Sequence, residues 1–183
     1  MDLADILLIG AGLSMDAAAV SMTNGMVYKN LTGVRCAAMP AFFGAFQMLM
    51  PILGYYAGGL FADIMAKYSG IVVFVILGII GGKMIKEGFD DMKKHETAPS
   101  RVMDLKTLLF QAVATSIDAF AVGIGFSALG IGIIGPSAII GATTAVIVVI
   151  AILIGRKFGD MLGSRAEVLG GAILVIIGIK ALL

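Results

Sequence analysis

Apolar residues run through this chain in long, nearly unbroken stretches, divided by short polar turns. A helix that crosses a bilayer needs about 20 predominantly apolar residues, and six stretches approach or exceed that length. They cover residues 3–26, 36–59, 70–88, 105–129, 135–157 and 165–183. Lipid offers no partner for an open backbone, and the runs lack the alternation of a barrel strand, so each stretch is read as a helix. Asp2 and Asp5 suit the start of the first, where carboxylates meet free amides and the positive end of the helix dipole. The opening MDLADILLIG has no basic n-region, so this stretch reads as a retained span and not as a cleaved leader.

Composition agrees with the pattern. Of 183 residues, 60% are hydrophobic and 14% charged, more apolar than ordinary soluble domains. A formal net charge of +1 gives no reason to expect nucleic acid. Cys36 is the single cysteine, so no internal disulfide can form.

The basic residues are unevenly placed. Eleven of the 13 Lys and Arg lie in or beside the loops near residues 30, 95 and 160, with Lys67 and Lys180 elsewhere. By the positive-inside rule these loops are cytoplasmic and both termini lie outside. The loop EGFDDMKKHETAPSR divides the chain near its middle into residues 1–88, a linker 89–104, and residues 105–183. Its Asp90, Asp91, His95 and Glu96 read chiefly as a solvated charge run, with a metal-sensing gate as the lesser reading. Ser164 and Glu167 have the spacing of a capping box opening the last helix.

The two halves resemble each other. Ser14-Met15-Asp16-Ala17-Ala18-Ala19-Val20 aligns with Ser116-Ile117-Asp118-Ala119-Phe120-Ala121-Val122; Gly54 and Gly155 correspond more weakly, as do Gly81-x-Lys83 and Gly178-x-Lys180. With three spans per half, the second enters the membrane upside down relative to the first. The expected fold is therefore an all-α integral membrane protein whose six transmembrane helices form two inverted three-helix repeats, an arrangement common among secondary transporters.

Candidate chemistry sits in the repeated motif. Asp16 and Asp118 are the acidic residues near the middle of apolar spans, where a carboxylate costs about 2.5 kcal/mol or more and normally meets a partner or a pathway. Each shares its helical face with small residues, Gly12 and Ala19 for Asp16, Ala114, Ala121 and Gly125 for Asp118. The first and fourth spans are accordingly expected to pack together with both aspartates inward. Two close carboxylates do not both stay ionised without a counter-charge. A divalent cation supplies one, and protons can replace it as counter-ions. Hard cations prefer oxygen ligands, so Gln47, Asn24, Thr143 and Thr144 join the candidate metal set. Pro51 follows Gln47 by four residues and is expected to free a backbone carbonyl there. The bland alternative is a set of protonated or hydrogen-bonded groups that only help helices associate.

Together LSMDAAAVS, FGAFQMLMPILG, ATSIDAFAVGIG and AEVLGG resemble the MntP-type manganese efflux pumps of bacteria, within the broader lysine-exporter superfamily. The resemblance covers nearly the whole chain. It implies manganese(II) export across the bacterial inner membrane, with the metal as transported substrate and no cofactor, Asp16 and Asp118 as central residues, and Gln47 at a matching motif position where some relatives carry Glu. Two other readings compete. An exporter of amino acids or other small solutes would want opposite charges, but no basic residue lies mid-span opposite the aspartates. An intramembrane aspartyl protease would want GxGD and YD motifs, and neither occurs. The expected partners are a divalent ion, protons and the lipid bilayer; a homo-oligomer is compatible, and no enzymatic activity is expected.

Overall fold

A computed structural model describes residues 2–28, 33–57, 59–94, 103–162 and 165–182. Seven helices occupy them: α1 (Leu3–Val27), α2 (Gly33–Ala57), α3 (Gly59–Lys94), α4 (Leu105–Ala114), α5 (Ile117–Ala128), α6 (Ile134–Leu162) and α7 (Arg165–Lys180). No strand occurs among the described residues. Four stretches, Leu3–Val27, Cys36–Ala57, Leu105–Ala128 and Ile134–Gly159, are long and apolar enough to cross a membrane. The molecule is thus all-helical and has the apolar helices of a multi-pass membrane protein.

Two helix boundaries differ from expectation. The fourth span is not one helix, because Thr115 and Ser116 interrupt it between α4 and α5. Their hydroxyls donate back into the preceding turn, Thr115 Oγ1 to the Gln111 carbonyl at 3.0 Å and Ser116 Oγ to the Ala112 carbonyl at 2.8 Å, and such back-bonding competes with the helical ladder and bends it. The second change concerns α3, which runs on through Lys94 where the polar linker was expected to begin at residue 89. Its polar end alternates basic and acidic residues at helical spacing, and Lys83 Nζ lies 3.9 Å from Glu87 Oε1 one turn on, a pairing that supports a solvated helix. His95, Glu96 and Ser164, with the side chains of Asp91 and Glu167, lie outside what is described, and the gate and capping-box expectations with them.

At its start α1 behaves as anticipated, with the Asp5 carboxylate accepting a hydrogen bond from the Asp2 amide at 3.0 Å. Packing differs from the expected pairing of the first and fourth spans. The most extensive contacts of α1 are with α6, and those of α3 with α7; α2 lies against both α6 and α5, and α1 meets α4 only narrowly. Glycines explain the choice. Gly155 of α6 rests on the Met22 carbonyl of α1, and a side chain at Gly25 would stand 2.6 Å from the Ile152 carbonyl. In the other pair Gly54 of α2 rests on the Phe120 carbonyl of α5, and Gly123 on that of Pro51. Backbones this close exclude any Cβ, and the contact area gained drives helix association where lipid removes the hydrophobic contrast.

Buried apolar side chains gather in two clusters. One includes Ile6, Phe126, Ile133 and Ile140, with Leu13, Ile52 and Val122 against it. The other, larger one includes Ala17, Val20, Phe43, Ala114 and Val148, with Phe46 against it. Every long helix that contributes to both therefore changes cluster over a short stretch: between Leu13 and Ala17 on α1, Phe46 and Ile52 on α2, Ala114 and Val122 across the α4–α5 break, and Ile140 and Val148 on α6.

Candidate functional site

The boundary between the clusters is where the polar residues lie. Ser14 and Asp16 fall in the α1 stretch, Gln47 in that of α2, Thr115, Ser116 and Asp118 at the break, and Thr143 and Thr144 on α6. Five of the six candidate ligands thus share one layer.

Asp16 and Asp118 are both accessible at the surface of the bundle, in contrast to the enclosed pair expected, because α1 and α5 do not pack face to face. Both nonetheless fall in the same layer, on α1 and at the start of α5. Asp118 occupies the first turn of α5, and its Oδ1 accepts a hydrogen bond from the Ala119 amide at 2.8 Å. The break places that amide, free of a helical partner, beside the carboxylate. Asp16 has no such interruption on its own helix.

Gln47 is buried at 1% exposure. Its Nε2 donates to the Leu13 carbonyl of α1 at 2.7 Å, which fixes the amide beside the turn that leads to Asp16. The other amide atom, Oε1, is buried with no hydrogen-bond partner. A buried acceptor left unpaired costs about 1–3 kcal/mol, so this oxygen is free to accept from a donor or to ligate a cation. Pro51 adds a second acceptor. It lies inside α2 and has no N–H, which leaves the Gln47 backbone carbonyl without its helical donor.

The remaining candidates are engaged in protein contacts. Thr144 Oγ1 stands 2.8 Å from Ser14 Oγ; it also lies 2.9 Å from the Ile140 carbonyl, as Ser14 does 2.5 Å from that of Gly10. Two protons serve these three contacts, tying α1 to α6. Thr143 is half-buried next to Gly10, where a Cβ would meet its Oγ1 at 3.5 Å. Asn24 lies outside the layer. Its Nδ2 donates to Gln111 Oε1 at 2.8 Å, and Gln111 Nε2 returns a bond to Asn24 Oδ1 at 3.3 Å. Sequence reasoning missed Gln111; its signal was an amide in an apolar run, two turns before Asp118. It also missed Ser14 as the Thr144 partner, although Ser14 belongs to the repeated motif. No group of three or more His, Cys, Asp or Glu residues that could hold a metal occurs among the described residues, so a cation here would draw on two carboxylates and neutral oxygens.

The family profile described as "Putative manganese efflux pump" matches residues 30–182. A protein named "Putative manganese efflux pump MntP 2" from Clostridium botulinum is 42% identical over 188 residues, covering 98% of this chain and 94% of its own. Proteins named "Putative manganese efflux pump MntP" from Ruminiclostridium cellulolyticum and Clostridium perfringens are 42% and 40% identical, covering 98% and 100% of this chain and 95% of each relative. No solved structure matches. Similarity at this level along nearly the full length makes the chain a member of the Mntp family.

Proposed function

We propose that this protein exports divalent cations across the plasma membrane, with manganese(II) as its substrate, through a site formed by Asp16, Asp118 and Gln47. The observation that carries the reading is the unpartnered Oε1 of Gln47, buried in the same layer as the two carboxylates. Two carboxylates balance the charge of a divalent ion. The amide oxygen and the Gln47 carbonyl add hard neutral ligands, and water completes a coordination shell of about six oxygens. Oxygen ligands of this kind accept several divalent ions, so the preference for manganese rests on the names of the relatives.

Ser14, Thr143 and Thr144 then hold α1 and α6 in register around the site. Six spans arranged as two inverted three-helix repeats account for the matching contacts: Gly54 on the Phe120 carbonyl and Pro51 against Gly123 in one pair, Gly155 on the Met22 carbonyl and Ile152 against Gly25 in the other. Both pairs have three-residue spacing on each helix, and each joins the second span of one half to the first of the other. A pseudo-twofold axis in the membrane plane produces such a pattern, and rocking of one unit against the other gives alternating access. The basic loops face the cytoplasm and the termini the outside. Release of the metal outward leaves two close negative charges. Protons neutralise them for the return step, which couples efflux to proton influx.

Cellular manganese content tests the reading. Cells loaded with manganese should clear it when they express the wild type and should retain it with Asp16→Asn or Asp118→Asn, at equal amounts of protein in the membrane. Normal clearance by both variants would refute the carboxylate site, and unchanged manganese with altered content of another metal would refute the substrate.

A further inference from the structure

A second polar feature lies deeper on the side of the basic loops. Asn24 follows Asp16 by eight residues and Gln111 precedes Asp118 by seven, so both stand about 11 Å from the aspartate layer at 1.5 Å per residue. Their helices run in opposite directions, and both offsets therefore lead to the same side, toward Tyr28 and Lys106. There the two amides close on each other with reciprocal hydrogen bonds, at 0% and 1% exposure. Val20 on α1 and Leu108 and Ala112 on α4, within four residues of the pair along the same helices, belong to the larger apolar cluster. The pair bridges the first spans of the two halves at the narrow contact between α1 and α4.

Between this pair and the aspartates lies Ser21, one turn before Asn24. Its hydroxyl is buried with no hydrogen-bond partner. An isolated polar atom in an apolar cluster is costly, whereas a polar atom on a route that is hydrated in another state is not. Gln111 is also linked to the site. Its carbonyl accepts hydrogen bonds from both the amide and the hydroxyl of Thr115, each at 3.0 Å, so a shift of Gln111 acts directly on the break that positions Asp118.

We propose that the Asn24–Gln111 pair is the gate that closes the path between the aspartate layer and the side of the basic loops. The inference rests on the transport reading above. Neutral amides suit the task. Interhelical hydrogen bonds in a membrane contribute on average about 0.6 kcal/mol and at most about 2 kcal/mol each, so two such bonds hold a closed state that thermal motion and ion binding can open. Once parted, both amides are solvated by incoming water and leave no unpaired charge behind. In the closed state a hydrated ion has no passage between them.

Accessibility of Ser21 tests the gate directly. In a Cys36→Ala background, Ser21→Cys changes one buried atom and places a thiol behind the pair. In proteoliposomes, a membrane-impermeant thiol reagent is applied at the face where Ser100→Cys reacts. With the pair intact the reaction should be slow. Asn24→Ala and Gln111→Ala should each accelerate it about three- to tenfold, the effect of losing one or two such bonds. The exchanged pair, Asn24→Gln with Gln111→Asn, should restore the slow rate. Should a truncation fail to insert, Gln111→Met keeps the volume without the amide and should accelerate labelling equally. Equal rates with and without the amides, or rapid reaction with the pair intact, would overturn the gate. Labelling requires no transport, so repeating it in Asp118→Asn separates the two ideas: amide control of labelling supports the gate even if the aspartates prove not to carry the metal.

Discussion

At the residue scale, what distinguishes the carboxylates from the neutral groups is charge neutralisation. Asp16→Asn and Asp118→Asn keep size and hydrogen-bonding capacity and remove a negative charge, so each should lower manganese efflux to background while leaving the protein folded. Gln47→Ala removes a dipole and the bond to the Leu13 carbonyl; it should reduce efflux only partly, in the range of about 3- to 30-fold for a lost ligand contact of 0.6–2 kcal/mol. Initial rates of efflux at matched protein levels check both. The aspartates stood out as candidates in the sequence because a carboxylate in an apolar run is costly; their exposure at the surface of the bundle was not legible there. Nor was the state of Gln47. That one amide atom is tied and the other is unpaired depends on how α2 lies against α1. Asn24 shows the opposite outcome: its polarity marked it as a ligand candidate, and its partner, 87 residues away, became apparent only once the helices were packed.

At the element scale, each described helix overlaps a stretch that hydropathy marks, but the interruption at Thr115–Ser116 was hidden, because two hydroxyl residues scarcely lower the hydropathy of the span around them and the cause is their local back-bonding. Helix pairing was equally hidden. The matched motif drew attention to the first and fourth spans, whereas the closest packing is set by the less distinctive matches Gly54 and Gly155. Those glycines give a sharp prediction. A Cβ at either position would collide with a backbone carbonyl, of Phe120 or of Met22, so Gly54→Val and Gly155→Val should each destabilise the protein by about 1–3 kcal/mol or more. Glycines with open space above them, such as Gly12 and Gly125, should tolerate alanine. Thermal unfolding of the purified protein in detergent compares the four variants.

At the scale of the whole molecule, a polar layer lies between two apolar clusters, crossed by four spans that each contribute a hydroxyl, amide or carboxylate to it. The proposed orientation, with the basic loops on the cytoplasmic side, predicts that Ser100→Cys in a Cys36→Ala background resists an impermeant thiol reagent in intact cells and reacts once the membrane is opened. Coupling belongs to this scale too. In proteoliposomes without a metal gradient, an imposed proton gradient should drive manganese accumulation by the wild type, and indifference to pH would leave efflux following the metal gradient alone. The central claim, that a paired-aspartate layer carries manganese across the membrane, is tested most directly by manganese flux into proteoliposomes containing equal amounts of purified wild type, Asp16→Asn or Asp118→Asn. The account predicts flux well above protein-free liposomes for the wild type and flux at the protein-free level for both variants; wild-type flux from either variant would contradict it.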